Sequence, residues 1–210
     1  MRPHLAIILA LLLLTGCTTR SKESYSGFLG DDAVYARLEP APEMEGVKVY
    51  RKIPKPLAEY DAFILPPVKV YLNSEGRKRK VSDEELNELG QFFHNSVYEA
   101  LRDRYRITNI PGPGVAILRL AITDADPNTS ALDLSPGALI PGGGLGGASV
   151  EAELVDSVTG EQIAVALASS EGKRYEFIAG MSRWGHTQAL LSEWAEMIRK
   201  RVDEDHGFVG

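Results

Sequence analysis

Two stretches of alternating side chains, residues 149–156 and 162–169, flank Ser157-Val158-Thr159-Gly160-Glu161, and they restrict the fold of this chain more than any other feature. In the first arm Val150, Ala152 and Leu154 alternate with Glu151 and Glu153; in the second, Ile163, Val165 and Leu167 alternate with alanines. A period of two sends successive side chains to opposite faces, and Gly160 supplies a turn conformation that other residues resist. The pattern predicts a hairpin in an antiparallel sheet covered on one side only.

Other segments extend this sheet. Residues 115–123 alternate, with Leu118, Leu120 and Ile122 on one face and Arg119 on the other; Glu151 and Glu153 are placed to meet Arg119 across strands. In residues 60–72, Phe63, Ile64 and Leu65 run into Pro66-Pro67 and then Val68, Val70 and Leu72. Prolines cannot donate ladder hydrogen bonds, so this reads as a strand broken near Pro66. Residues 47–53 suggest a short edge strand.

Ser82 and Glu85 fit a capping box, with Asp83, Glu84 and Glu85 where a helix dipole favours acids. Leu86, Leu89, Phe93, Val97, Ala100 or Leu101, and Tyr105 then form one apolar face over about six turns, before Pro111-Gly112 ends the unit. A second helix is expected from near Thr187, with Leu190 or Leu191, Trp194, Ile198 and Val202 buried and Gly207 as its stop. Both helices should cover the same sheet face. The expectation is an α+β two-layer sandwich: a four- to five-stranded, mostly antiparallel sheet with two amphipathic helices on one face, in the order β-α-β-β-β-α.

The chain begins with Arg2 and an apolar run over residues 5–14, followed by Leu14-Thr15-Gly16-Cys17. Such a run spans about 15 Å as a helix, roughly half a bilayer core, and polar Thr18, Thr19, Arg20 and Ser21 follow at once. It reads as a secretory signal and not as a membrane span. Leu-Thr-Gly-Cys resembles the bacterial lipobox. That resemblance implies cleavage before Cys17, a diacylglycerol on its sulfur and acylation of the new amino group. Two or more chains hold stably where one does not. Thr18 stands where aspartate would signal retention in the inner membrane, so the expected address is the periplasmic face of the outer membrane.

Residues 1–16 are thus a signal peptide, 17–46 a lipidated tether with Pro40 and Pro42, and 47–210 a single domain. Within the tether, Gly27-Phe28-Leu29 is an apolar island expected to pack onto the domain edge. Hydrophobic residues make up 44% of the chain and charged residues 25%, enough for an ordinary core. The net charge of −6 becomes −7 when Arg2 leaves with the signal, which argues against a nucleic-acid partner. Cys17 is the single cysteine, so no disulfide is available.

Three short motifs resemble an uncharacterised family of bacterial lipoproteins, domain of unknown function 3313. They are Ser26-Gly27-Phe28-Leu29, Tyr60-Asp61, and Val155-Asp156-Ser157 through Thr159-Gly160-Glu161. The resemblance implies an envelope address and a fold, but no activity and no catalytic residues.

The residues themselves offer little chemistry. His94, His186 and His206 show no ligand spacing for a metal. His186 lacks a nucleophile, because Cys17 is taken by lipid and no serine sits in a Gly-x-Ser-x-Gly elbow. The loop Gly142-Gly143-Gly144-Leu145-Gly146-Gly147 feeds a strand and lacks the Lys-Ser/Thr of a phosphate cradle, which leaves a flexible connection or a mobile flap. Arg77-Lys78-Arg79-Lys80 precedes a helix N-terminus and suits a solvated turn or an anionic partner. No enzyme, cofactor or metal is expected. Two readings remain: an adaptor that binds an envelope protein through its open sheet face, and an accessory protein that handles a lipid or small ligand. The second requires an apolar groove between helices and sheet.

Overall fold

A computed structural model describes residues 25–42, 44–71, 81–125, 148–170 and 184–208. Its strands are β1 (Glu39–Pro40), β2 (Val47–Arg51), β3 (Ala62–Ile64), β4 (Lys69–Val70), β5 (Arg106–Ile107), β6 (Val115–Ala125), β7 (Ala148–Asp156) and β8 (Gln162–Ser170). The helices are α1 (Asp32–Tyr35), α2 (Asp83–Leu101) and α3 (Gly185–Asp205), with a 3₁₀ turn at Pro56–Glu59. These eight strands join one sheet in the order β1-β2-β8-β7-β6-β3-β5, and β4 pairs β6 beside β3.

The α+β class holds, but the sheet is larger and more mixed than expected. β3 and β4 are the two halves of the strand broken at Pro66-Pro67, and both run parallel to β6. Parallel pairing follows from the connection: a strand, a long helix and a strand returning in the same direction give parallel neighbours. β1 and β5 are two residues long, too short to leave a periodic signal, whereas β4 is as short but is marked by the alternation of Val68 and Val70.

α2 starts at the expected capping box. Ser82 Oγ accepts the Glu85 N–H at 3.2 Å, and Glu85 accepts the Ser82 N–H at 2.9 Å. It ends at Leu101, so Tyr105 lies beyond the helix and buries its ring edge-on against Phe63 at 5.7 Å between centroids. The apolar faces of α2 and α3 share one core with β6 and β7, through Phe93, Val97, Leu191, Trp194, Leu118 and Leu154. At the far end, Tyr105 donates to Asp203 at 2.6 Å and Arg199 donates to the same carboxylate at 2.8 Å. Burial works against the charge of Asp203, but these donors outweigh it and leave the carboxyl below its ordinary range.

The hairpin is present, with Gly160 at φ +72° in its turn, but its second arm faces the other way. A bulge between Leu154 and Val155 shifts the register, so that Leu154 pairs Ala164, Ala152 pairs Ala166 and Val150 pairs Ala168. One extra residue reverses the facing of the strand beyond it. Ile163 therefore joins the helix-side core while Val165 and Leu167 face the opposite side, in place of the single stripe their spacing predicts.

That opposite side is not open near β2 and β8. Residues 25–38, assigned to the tether from sequence, form a strap over it. Leu29 and Tyr35 are buried with Val165, and Phe28, Val34, Leu38, Tyr50 and Leu167 pack around them. β1 then adds to the sheet edge beside β2. The folded part thus begins ahead of Val47, and the apolar island packs as expected, onto a sheet face instead of an edge. Gly46 makes the turn into β2 at φ +76°, where a Cβ would collide with the Ser169 carbonyl oxygen.

Candidate functional site

The reversed facing of β8 decides where the molecule has room. Ala164 and Ala166 sit under α3, and Ala152 lies beside them on β7. Side chains this small cannot fill the gap between a sheet and a helix packed over it. An open cleft of about 130 Å³ results. Val49, Leu118 and Leu154 complete its floor, and Met197, Ile198 and Val202 of α3 form its roof.

The 3₁₀ turn walls one end with Pro56 and Leu57. The buried carboxylate of Asp205 fixes this wall: it accepts the Leu57 N–H at 3.1 Å and pairs with Arg201 at 3.0 Å. Among the described residues, Arg51 and Arg201 are the cationic groups of the lining. Burial, and then repulsion from Arg201, hold the Arg51 guanidinium below its usual pKa. A second, more polar recess of about 560 Å³ lies between β4 and α2, lined by Val70, Asp83, Asn87, Gln91 and His94.

The cleft is lined by residues that the sequence did not single out as a site. Leu14, Thr15, Gly16 and Cys17 lie outside the described residues, as do Arg77, Lys78, Arg79 and Lys80 and the loop glycines Gly142, Gly143, Gly144, Gly146 and Gly147. His94 bonds the Leu65 carbonyl through Nε2 at 3.1 Å, and His206 bonds the Val202 carbonyl through Nδ1 at 2.8 Å. Both serve the backbone. His186 lies buried in the first turn of α3.

The three family-like motifs turn out to be contacts that hold the fold. Ser26 Oγ donates to Glu151 at 2.8 Å, and Gln162 donates to the Leu29 carbonyl at 3.0 Å. Tyr60 donates to Asp156 at 3.2 Å, and burial followed by that carboxylate pushes its pKa up to about 12. Asp156 in turn accepts the Val158 and Thr159 N–H groups, closing the hairpin turn. The Thr159 amide holds its carboxyl below the ordinary range. Of the two acids aimed at Arg119, Glu153 meets it at 3.1 Å, whereas Glu151 is buried under the strap.

The cleft itself escaped sequence reasoning. Its signal was present as alanines at every second position from 164 to 168, a row of small residues opposite a helix.

Residues 24–198 match the model of a family described as "Protein of unknown function (DUF3313)". The "Uncharacterized lipoprotein YdcL" of Escherichia coli K12 is 26% identical over 184 residues, covering 80% of this chain and 81% of its own. The protein of the same name from Escherichia coli O157:H7 matches equally. Among solved structures, a PelC dodecamer from Paraburkholderia phytofirmans is similar at 14% identity and a TM-score of 0.43, covering 74% of this chain and 96% of that one.

Proposed function

The chain belongs to this family of unknown function, and on that premise we propose that it is an envelope lipoprotein with a non-enzymatic binding role, its cleft under α3 receiving an apolar chain. Lipid on Cys17 moors the domain to the periplasmic face of the outer membrane in this reading. The lipobox and the lipoprotein name carried by the YdcL relatives support the anchor. Of the two roles considered from sequence, the cleft favours the accessory that handles a lipid or small ligand. The adaptor reading relied on an open sheet face, and the strap covers part of that face.

The carrying observation is the cleft of about 130 Å³ whose floor and roof are aliphatic. A dry cavity of about 150 Å³ suffices to bind benzene, so this space takes a short run of methylenes. Met44 and Met197 line it and serve as reporters. In full chain held in nanodiscs with ¹³C-labelled methionine methyls, titration with 1-decanol should shift both resonances to saturation. Ala166→Leu fills the floor and should weaken binding about tenfold or more with an unchanged circular dichroism spectrum, since about three methylenes of contact are displaced. Decanol that leaves the Met44 and Met197 signals in place would overturn the reading.

The anchor has its own check. Cells fed labelled palmitate should label the wild-type chain, and Cys17→Ser should abolish the label entirely. Label retained on the Cys17→Ser chain would move the anchor elsewhere.

A further inference from the structure

Arg51 stands at the cleft with no counter-ion of its own among the described residues. It ends β2 on the helix side of the sheet, in register with Ala164, and its side chain lines the cleft half-buried. Arg201 lines the same space, but its charge is committed: Glu204 lies 3.0 Å from one guanidinium nitrogen and Asp205 lies 3.0 Å from the other. Burial and the neighbouring cation both disfavour the charge of Arg51, and Asp205 and Glu204 offset this only from a distance. A guanidinium partly removed from water beside a second one is short of an anion.

The apolar volume beside it is small. At about 130 Å³ it accommodates part of one hydrocarbon chain and not two chains side by side. A single guanidinium fork matches a planar carboxylate in bidentate fashion. We propose that the cleft binds a single-chain fatty carboxylate, with methylenes lying between Ala164 and Ala166 below and Met197 and Ile198 above, and the carboxylate on Arg51. This deepens the reading of the cleft as an apolar site and rests on it.

The two can fail separately. Decanoate and 1-decanol share a chain and differ in charge, so titrating each into the full chain in nanodiscs isolates the head group, with free ligand fixed by equilibrium dialysis and the Met44 and Met197 methyls as readout. Decanoate should bind about tenfold more tightly than decanol, as a charge-assisted bidentate contact implies. Arg51→Gln should erase that preference, bringing the ratio of decanoate to decanol affinity to about one, and Arg51→Lys should keep part of it. From hexanoate upward, affinity should rise about fourfold per methylene until the cleft is filled, and then level off.

Equal binding of decanoate and decanol by the wild-type chain, or a preference that survives Arg51→Gln, overturns the carboxylate assignment and leaves the apolar cleft standing. Decyl phosphate binding more tightly than decanoate likewise overturns the choice of head group. Failure of decanol to move either methionine removes both.

Discussion

Phe63→Ala is expected to lower the unfolding free energy by about 3–5 kcal/mol and the melting temperature by roughly 10 °C, read by urea and thermal denaturation of the full chain. The ring is completely buried on the middle residue of β3. That strand is only three residues long, yet it is held between β5 and β6 through parallel pairs, Phe63 with Ile107 and with Ala116. So few ladder bonds cannot hold β3 in place; its side chain does. The edge-on Tyr105 ring at 5.7 Å ties the same point to the α2 exit, and Tyr105 passes the connection to α3 through Asp203. Truncation leaves a void where sheet, α2 and α3 converge, and close-packed neighbours relax into such a void only in part. For a domain stable by about 5–15 kcal/mol, this is a large fraction of the whole. Val158→Ala at the exposed hairpin tip should change stability by no more than about 0.5 kcal/mol. A Phe63→Ala loss as small as that would show that β3 is not the junction described.

The long elements were legible because each carries many repeats of its own period. Phe93 and Val97 mark α2, Leu191 and Trp194 mark α3, and Leu118 to Ile122 mark β6; all of them but Arg119 are buried. The capping box named the start of α2 to the residue, because that signal is local chemistry. Legibility failed where non-local pairing decides. The bulge after Leu154 is invisible in a count of alternating residues, yet it turns Ala164 and Ala166 toward α3 and Val165 and Leu167 away. Two consequences for the site descend from it: a face expected to be open is partly covered, and room opens under α3 where a row of larger side chains was expected. The segment of β4 was legible in the alternation of Val68 and Val70, but alternation carries no direction, so its parallel pairing with β6 was not; two-residue elements such as β1 and β5 offer no pattern to read.

Glu151 explains why the strap stays down, and its removal carries the second large effect. An acid at 2% exposure would be costly alone, but its Oε2 accepts Ser26 Oγ and Tyr35 OH at 2.8 Å each. The Tyr35 hydroxyl also accepts the Leu29 N–H at 3.3 Å, and Tyr25 stacks on the Tyr35 ring at 4.1 Å. Glu151→Leu keeps the packing volume but removes the acceptor that two hydroxyls share; at 3.3 Å from one another they can satisfy only one of their two O–H donors in a closed space. The expected loss is about 2–4 kcal/mol, with amide exchange over residues 25–38 accelerating first, because local opening precedes global unfolding.

Removing the donors as well changes the outcome. Ser26→Ala and Tyr35→Phe combined with Glu151→Leu should recover part of the loss, since no hydroxyl is then left without the carboxylate, although the Phe28 and Leu29 N–H groups lose their side-chain acceptors. A triple variant as weak as the single one would mean that the strap is held by something other than this carboxylate.

Alkaline pH tests the same contact from the other side. Burial in the first place, and Glu151 with it, raises the Tyr35 pKa above 10, opposed by the hydrogen bonds from Ser26 and Leu29. A raised value means the contribution is complete below pH about 10 and is lost as pH climbs through the folded-state pKa. Protection of residues 25–38 should therefore fall on that side, and Tyr35→Phe should lack the step. A Tyr35→Phe chain that keeps the step would assign it to another group and detach Tyr35 from the closure of the strap.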